Sequence, residues 1–488
     1  MRHRFWAAVT AMPLGGVARS VLLVGGATAL GQGAIVLAAP ILARLYEPAD
    51  FGLLSVYAAL LAVLVSVASL RYDFAIPIAR DPDEALHLLV LSVTIALVTS
   101  IGVAVVIGLA GPAIAAALGA AALAPALWLL PIALAIAGAA QAIAAWAVYR
   151  RSFTELARMR TGQGIGQAVL QVALGLAHAG PFGLVLGDLG GRLVGVEQFA
   201  RPLGSALRSA RLSVSAAIRY GRARRSFAGV MTFASLLNAL SLQVPFLLIP
   251  VLFDLPSSGQ YFLAYRILVL PASLVAAAVS QVFLGEASNR RADPRRLHDL
   301  AINATVSLFV FAIPSYGVVA VGGPALINAI FGSQWTVAGE YARFLAPWLL
   351  MSSVASPISS LLLIGRRERE SLAFTAFELG LKTGSLLVGA MVGSLAVGIV
   401  ILSVVSVLIN IGALWRFLRV ASASLGELVR PVAQIAIVTT PALVTIAVLS
   451  AVRPELVPVA SVAGWAISFG LAARSSSETR AFLAQADG

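Results

Sequence analysis

The chain of 488 residues has no cysteine, one lysine (Lys382), four histidines and only 11% charged residues. Without cysteine there can be no disulfide framework, thiol nucleophile, iron–sulfur cluster or thiolate zinc site, and four scattered histidines offer a metal little else. No cofactor or metal is expected. A soluble globular protein carries roughly 25% charged residues, so the shortage of charge also excludes a water-facing fold. What fills the chain instead is apolar: 60% of residues are hydrophobic and the mean hydropathy is +0.95. At ~20 mostly apolar residues per membrane-spanning helix, the ceiling is roughly fourteen or fifteen spans.

The net charge of +13 invites a nucleic-acid reading, but that needs a soluble basic domain, which this chain has too little polar sequence to build. Membrane topology accounts for it better, and no nucleic-acid partner is expected. The N-terminus, Met1 to Gly16, has basic residues but no short apolar core with a cleavage site, so the long run that follows reads as an uncleaved first helix.

Candidate spans run from about Arg19 to Ala43, Phe51 to Leu70, Leu86 to Ala110, Leu123 to Val148, Gly162 to Ala177 and Pro181 to Ala200. A second six run from Phe227 to Phe253, Gly259 to Leu284, Leu300 to Val321, Val337 to Ile364, Leu372 to Val392 and Leu395 to Trp415. Two more, Pro431 to Val452 and Val457 to Ala473, make about fourteen. The fold class is therefore an all-α polytopic membrane protein. Its expected organisation is an N-terminal lobe (1–200), a basic linker (201–226), a C-terminal lobe (227–416), and a terminal helix pair with tail (417–488).

Arginine marks the sides. Cytoplasmic loops are enriched in Lys and Arg, and here the basic clusters follow even-numbered spans: Arg150 to Arg160, Arg201 to Arg225, Arg290 to Arg296, Arg366 to Arg369 and Arg416 to Arg430. Intervening loops such as Gly111 to Ala122, Asp254 to Ser258 and Gly322 to Thr336 contain no basic residue. Both termini are expected on the cytoplasmic face. The loop Arg71 to Ala85 fits least well, because its acids outnumber its arginines, although acids count little in this rule. The linker reads either as a solvated connection or as a segment lying on anionic lipid headgroups.

The two sets of six spans repeat one another. Leu45-Tyr46-Glu47-Pro48 with Gly52 matches Leu252-Phe253-Asp254-Leu255 with Gly259. Asp81-Pro82 through His87 matches Asp293-Pro294 through His298, and Arg150-Arg151 matches Arg366-Arg367. Each pair falls on one expected side of the membrane, so the repeat is parallel, related by an axis along the membrane normal as in many secondary transporters. Two such lobes would enclose a cavity that opens to either side by rocking.

Three stretches carry a family likeness: Arg44 through Gly52 with Leu70-Arg71-Tyr72-Asp73-Phe74-Ala75-Ile76; Leu236-Leu237-Asn238-Ala239-Leu240-Ser241 with Gln243-Val244-Pro245; and Gly259-Gln260-Tyr261 through Arg266 to Pro271. With these the chain resembles bacterial oligosaccharide flippases of the Wzx type, the polysaccharide-transporter branch of the multidrug/oligosaccharidyl-lipid/polysaccharide exporter superfamily. The resemblance implies fourteen helices, residence in the bacterial inner membrane, and an undecaprenyl-pyrophosphate-linked oligosaccharide as cargo for O-antigen, capsule or exopolysaccharide assembly. It leaves room for polymerase or glycosyltransferase partners. Past Leu284 it rests on layout alone.

A pyrophosphate headgroup crosses hydrocarbon only along a wet, cationic path, so ionisable residues in spans are the candidates. Asp188 and Arg192, Glu378 and Lys382, and Glu340 and Arg343 stand four, four and three apart, so each pair either neutralises itself on one helix face or serves substrate or coupling ion. Asp188, Glu340 and Glu378 are the coupling-ion candidates; Arg192, Lys382 and Arg343 join the headgroup candidates. Arg266 leads that set because no acid lies within one turn of it, the alternatives being snorkelling or a partner on another helix. Arg44 and Arg71 rank lower, being close to helix ends with Glu47 and Asp73 nearby. Gly183, Gly187, Gly191 and Gly195 have the spacing of close helix packing. Gly162, Gly164 and Gly166 lack the strand and lysine of a nucleotide loop, so an ATP-driven pump is excluded. The rivals are a drug/cation antiporter on the same fold and a membrane glycosyltransferase or polymerase, for which the short, nearly uncharged non-cytoplasmic loops argue poorly.

Overall fold

The computed structural model describes residues 16–210, 212–269, 294–358 and 368–475. The later part of the eighth expected span and the basic pairs Arg290-Arg291 and Arg366-Arg367 lie outside the described residues, as does Arg211. Among the described residues there is no strand.

The chain forms two compact units. The first, Ala27–Phe262 with Ser371–Gly384, holds most of α1 (Gly16–Leu45), then α2 (Pro48–Val65), α3 (Pro82–Ala117), α4 (Leu129–Tyr149), α5 (Phe153–Leu176) and α6 (Pro181–Leu193). Two short helices, α7 (Ala200–Ser209) and α8 (Val214–Ala223), lead to α9 (Thr232–Leu252) and to the start of α10 (255–269). The second unit contains α11 (Pro294–Phe331), α12 (Thr336–Ile358), α14 (Leu395–Val420), α15 (Leu425–Val452) and α16 (Val457–Ser475); α13 (Glu368–Val392) contributes to both.

Ten helices among the described residues are long and apolar enough to cross a membrane. Their outward faces are apolar. On α3, Val98, Ile101, Val105 and Leu109 are exposed at helical spacing, Leu109 by 84%. A stripe of that kind is unfavourable in water and suits hydrocarbon. Of the remaining four expected spans, three hold the helices α5, α6 and α12, which are shorter or more polar, and the fourth, α10, is described only as far as residue 269.

Local sequence explains where helices begin. Asp81 caps α3 by accepting from the Glu84 amide at 2.7 Å, with Pro82 in the first turn. Glu47 caps α2 in a reciprocal box with Asp50. Asp254, which holds the position of Glu47 in the repeat, accepts from the Ser257 amide at 2.6 Å at the head of α10. The two copies of the repeat therefore start their helices with the same acidic device.

The sixth span departs from expectation. Instead of running to Ala200, α6 stops at Leu193 after 13 residues, about 20 Å, where Gly195 turns left-handed at φ 87°. A Cβ there would stand 2.7 Å from the Met159 Cα, so both the dihedral and the close approach to α5 call for glycine. The spaced glycines of α6 do pack: Gly187 lies against Gln171, and a Cβ on Gly191 would come 2.7 Å from the Gln167 Cα.

In the second unit α11 is the spine. Val318 packs with Ile446 of α15 and Val457 of α16, all under 9% exposed. Trp465 donates from its indole to the Ser315 hydroxyl at 2.9 Å and stacks on Phe469 at 5.5 Å. This apolar seam fixes the terminal helix pair onto α11.

Candidate functional site

Two glycines of the repeat meet reciprocally inside the first unit. A Cβ on Gly52 of α2 would overlap the carbonyl oxygen of Leu255, and one on Gly259 of α10 would overlap that of Pro48. Leu255 and Pro48 are themselves repeat equivalents. Ser55 and Ser258 share a hydrogen bond at 2.8 Å beside the crossing, both buried. The symmetry visible in the motif thus becomes a symmetric, backbone-close contact of two helix ends. Only glycine at both positions permits so close an approach of the two backbones.

Arg71 stands at the other end of α2. Leu70 and Arg71 both have positive φ, 48° and 58°, a conformation that costs a non-glycine residue ~1–2 kcal/mol each. Asp73, the expected partner of Arg71, is buried and accepts from the Ser69 hydroxyl at 2.5 Å; no carboxylate lies within ion-pair distance of the guanidinium among the described residues. The Nε is buried with no hydrogen-bond partner, and the guanidinium carbon lies 4.8 Å from the centre of the Phe74 ring. Burial pulls the group below its ordinary pKa, with Asp73 partly opposing the shift. Arg71 is thus a strained, half-buried arginine with one donor unused among the described residues.

Two of the expected ion pairs form. Arg192 grips Asp188 through both nitrogens, at 2.9 and 3.2 Å, on α6. Lys382 on α13, 1% exposed, meets Glu378 at 2.7 Å and also donates to the Ser241 carbonyl of α9 at 3.3 Å. Ser241 precedes Pro245 by four residues, so the missing proline N–H leaves that carbonyl without its helical donor. The lone lysine of the chain fills the gap. Lys382→Ala would strand both Glu378 and the carbonyl, so thermal unfolding of the purified protein should show a loss of about 3–5 kcal/mol. The double change Lys382→Met with Glu378→Leu should recover most of it, and an unshifted Lys382→Ala unfolding curve would refute the role.

The other candidates stand apart. Glu340 and Arg343 are both exposed on α12 and form no ion pair within 4.0 Å among the described residues, so of the two alternatives the local pair is not formed there. Arg44 is exposed in the last turn of α1, while Glu47 is spent on its cap. Arg266 is half-buried in α10 and is not without a partner, which accords with the alternative of a contact from elsewhere in the chain.

One feature escaped the sequence reading. Arg160, Gln163, Gln167 and Gln171 recur along α5 at helical spacing toward α6. The Gln163 side-chain amide donates to the Arg192 carbonyl at 3.1 Å; fully buried Gln171 donates from its side chain to the Leu184 carbonyl at 2.9 Å, and its backbone carbonyl accepts from the Tyr46 hydroxyl at 2.8 Å. Burial alone lowers the Arg160 guanidinium from its ordinary pKa. The signal was present as a polar period within an apolar run facing the glycines of α6. Among the described residues no cluster of three or more His, Asp or Glu is placed to hold a metal.

The polysaccharide biosynthesis protein family model matches residues 41–340. The succinoglycan biosynthesis transport protein ExoT of Rhizobium meliloti (strain 1021) is 27% identical over 196 residues, 39% of this chain and 39% of that protein. Among solved structures, the lipid II flippase MurJ in an inward closed conformation aligns over 93% of this chain and 99% of its own, with TM-score 0.69 and 13% identity. A transporter of the multidrug/oligosaccharidyl-lipid/polysaccharide superfamily from Pyrococcus furiosus Vc1 (DSM3638) aligns over 84% and 96%, with TM-score 0.58 and 17% identity. At such identities the structures speak to the fold alone. The chain belongs to the polysaccharide biosynthesis protein family and folds like the lipid II flippase MurJ, with ten helices among its described residues long and apolar enough to cross a membrane.

Proposed function

We propose that the protein is a flippase moving undecaprenyl-pyrophosphate-linked oligosaccharide across the bacterial inner membrane for O-antigen, capsule or exopolysaccharide assembly. The observation that carries the reading is Arg71, whose strained backbone and unused buried Nε fit a pyrophosphate oxygen. The charge pattern puts it on the cytoplasmic side with both termini, where such a cargo is made. In this reading the Gly52–Gly259 crossing, at the opposite end of α2, serves as the non-cytoplasmic closure. Alternating opening of the two ends gives transport without exposing the headgroup to hydrocarbon. Arg266 and Arg44 are further headgroup candidates, with Arg343, Arg192 and Lys382 behind them. Polymerases or glycosyltransferases that use the product are candidate partners.

The driving force is an ion gradient or the membrane potential, with Asp188, in its pair with Arg192, as the leading coupling site ahead of Glu378 and Glu340. In vesicles reconstituted with the purified protein, cargo should accumulate uphill under an imposed proton or sodium gradient. Asp188→Asn should abolish accumulation while leaving downhill exchange. Undiminished uphill transport after both gradients and the potential are collapsed would contradict the coupling.

A further inference from the structure

The basic linker reads from sequence in two ways, and the placement of α8 separates them. Four contacts fix which way this ten-residue helix faces. The Tyr72 hydroxyl donates to the Gly221 carbonyl at 3.2 Å, and the Ser213 amide to His87 Nε2 at 3.2 Å. Tyr220 donates to Asp83 at 3.3 Å, and Arg224 holds Glu84, which is 4% exposed, at 2.9 Å. One side of α8 is thereby committed to α3 and to the turn 72–78.

The opposite side has a composition that a merely solvated connection does not need. Val214 and Ile218, one turn apart, are 78% and 47% exposed, and Leu212 just before them is 44% exposed. Beside them Arg219, Arg222 and Arg225 are exposed, whereas Arg224 is already neutralised by Glu84. Arg219 lies along the Tyr220 ring at 5.6 Å, and among the described residues no carboxylate within 4.0 Å claims any of the three. A narrow apolar edge adjoining three uncommitted guanidinium groups matches the boundary between acyl chains and anionic headgroups.

We infer that α8 is an interfacial helix that seats Val214 and Ile218 at the acyl boundary of the cytoplasmic leaflet and binds anionic phospholipid headgroups through Arg219, Arg222 and Arg225. The inference rests on the cytoplasmic placement of the linker and is independent of the cargo. Anchored in this way, the connection between the two copies of the repeat is tied to the membrane surface through α3 instead of hanging in water.

The test uses the full chain. Because it has no cysteine, Ile218→Cys supplies one site for an environment-sensitive fluorophore. The labelled protein is reconstituted in phosphatidylcholine vesicles with or without phosphatidylglycerol, and quenching by chain-brominated lipid is compared with quenching by aqueous iodide. The inference expects several-fold stronger lipid quenching with phosphatidylglycerol, lost in the triple change Arg219→Gln, Arg222→Gln, Arg225→Gln with unfolding temperature unaltered. Lipid quenching equal in both compositions and unaffected by the triple change would leave apolar contact without headgroup recognition and overturn it. An iodide-accessible label in both would assign the face to water or a water-borne partner, and also overturn it. Neither result bears on transport of the oligosaccharide, so the cargo reading stands or falls separately.

Discussion

Oxidation of a Ser55→Cys, Ser258→Cys protein should stop flipping and reduction should restore it. The two hydroxyl oxygens are 2.8 Å apart in a buried contact, close enough for a disulfide with small adjustment, and no native cysteine competes. The bond would lock α2 to α10 where Gly52 and Gly259 cross, the end that opens for cargo in the proposed cycle. Rates should fall to the protein-free background, not by a modest factor, because a covalent lock admits no partial opening. Each single cysteine should transport normally with or without oxidant. Full transport by the cross-linked protein would show that the crossing is a fixed structural joint. A milder companion effect is expected at the glycines: Gly52→Ala forces the Leu255 carbonyl away and should make a cysteine at position 258 more reactive to water-soluble reagents.

The second large effect concerns Arg71. A charge-assisted hydrogen bond to a buried anion contributes about 1.5–3 kcal/mol, so Arg71→Ala and Arg71→Gln should lower transport at limiting cargo roughly 10- to 100-fold. Arg71→Lys keeps a point charge without the planar fork and should fall between them and the wild type. Removing the side chain costs the fold little, since the guanidinium has no carboxylate partner within 4.0 Å and Asp73 is held by Ser69. Arg71→Gly separates backbone from charge: it relieves the left-handed strain at φ 58°, so it should be at least as stable as Arg71→Ala and equally defective. Wild-type transport by Arg71→Gln would reduce the residue to a turn-former and return the leading place to Arg266.

Much of this was legible because membrane helices announce themselves by apolar length and their starts by short-range chemistry. Asp81-Pro82 and Glu47-Pro48 cap their helices through chemistry that needs only neighbours three residues away. The repeat was legible for the same reason. What remained hidden depends on backbone choice or on distant partners. Gly195 could continue a helix or end it, and the packing of Met159 against it decides. Nothing in Leu70-Arg71 announces a left-handed turn, and that turn, more than the residue type, singles out Arg71. Pro245 advertises an orphaned carbonyl at Ser241, but the lysine that satisfies it lies 141 residues on. Spacing alone does not decide pairing either: Glu340 and Arg343 are three apart, yet both are exposed and unpaired among the described residues.

The most direct test of the central claim places the purified protein alone in vesicles containing a fluorescent undecaprenyl-pyrophosphate-linked oligosaccharide, and follows the fraction of label destroyed by a membrane-impermeant reductant. Without protein, only the outer-leaflet share should be destroyed, because the headgroup does not cross hydrocarbon on its own. With protein, the inner-leaflet share should become accessible as well, and Arg71→Gln should slow that phase. An inner-leaflet share that stays protected in the presence of folded protein would contradict the account.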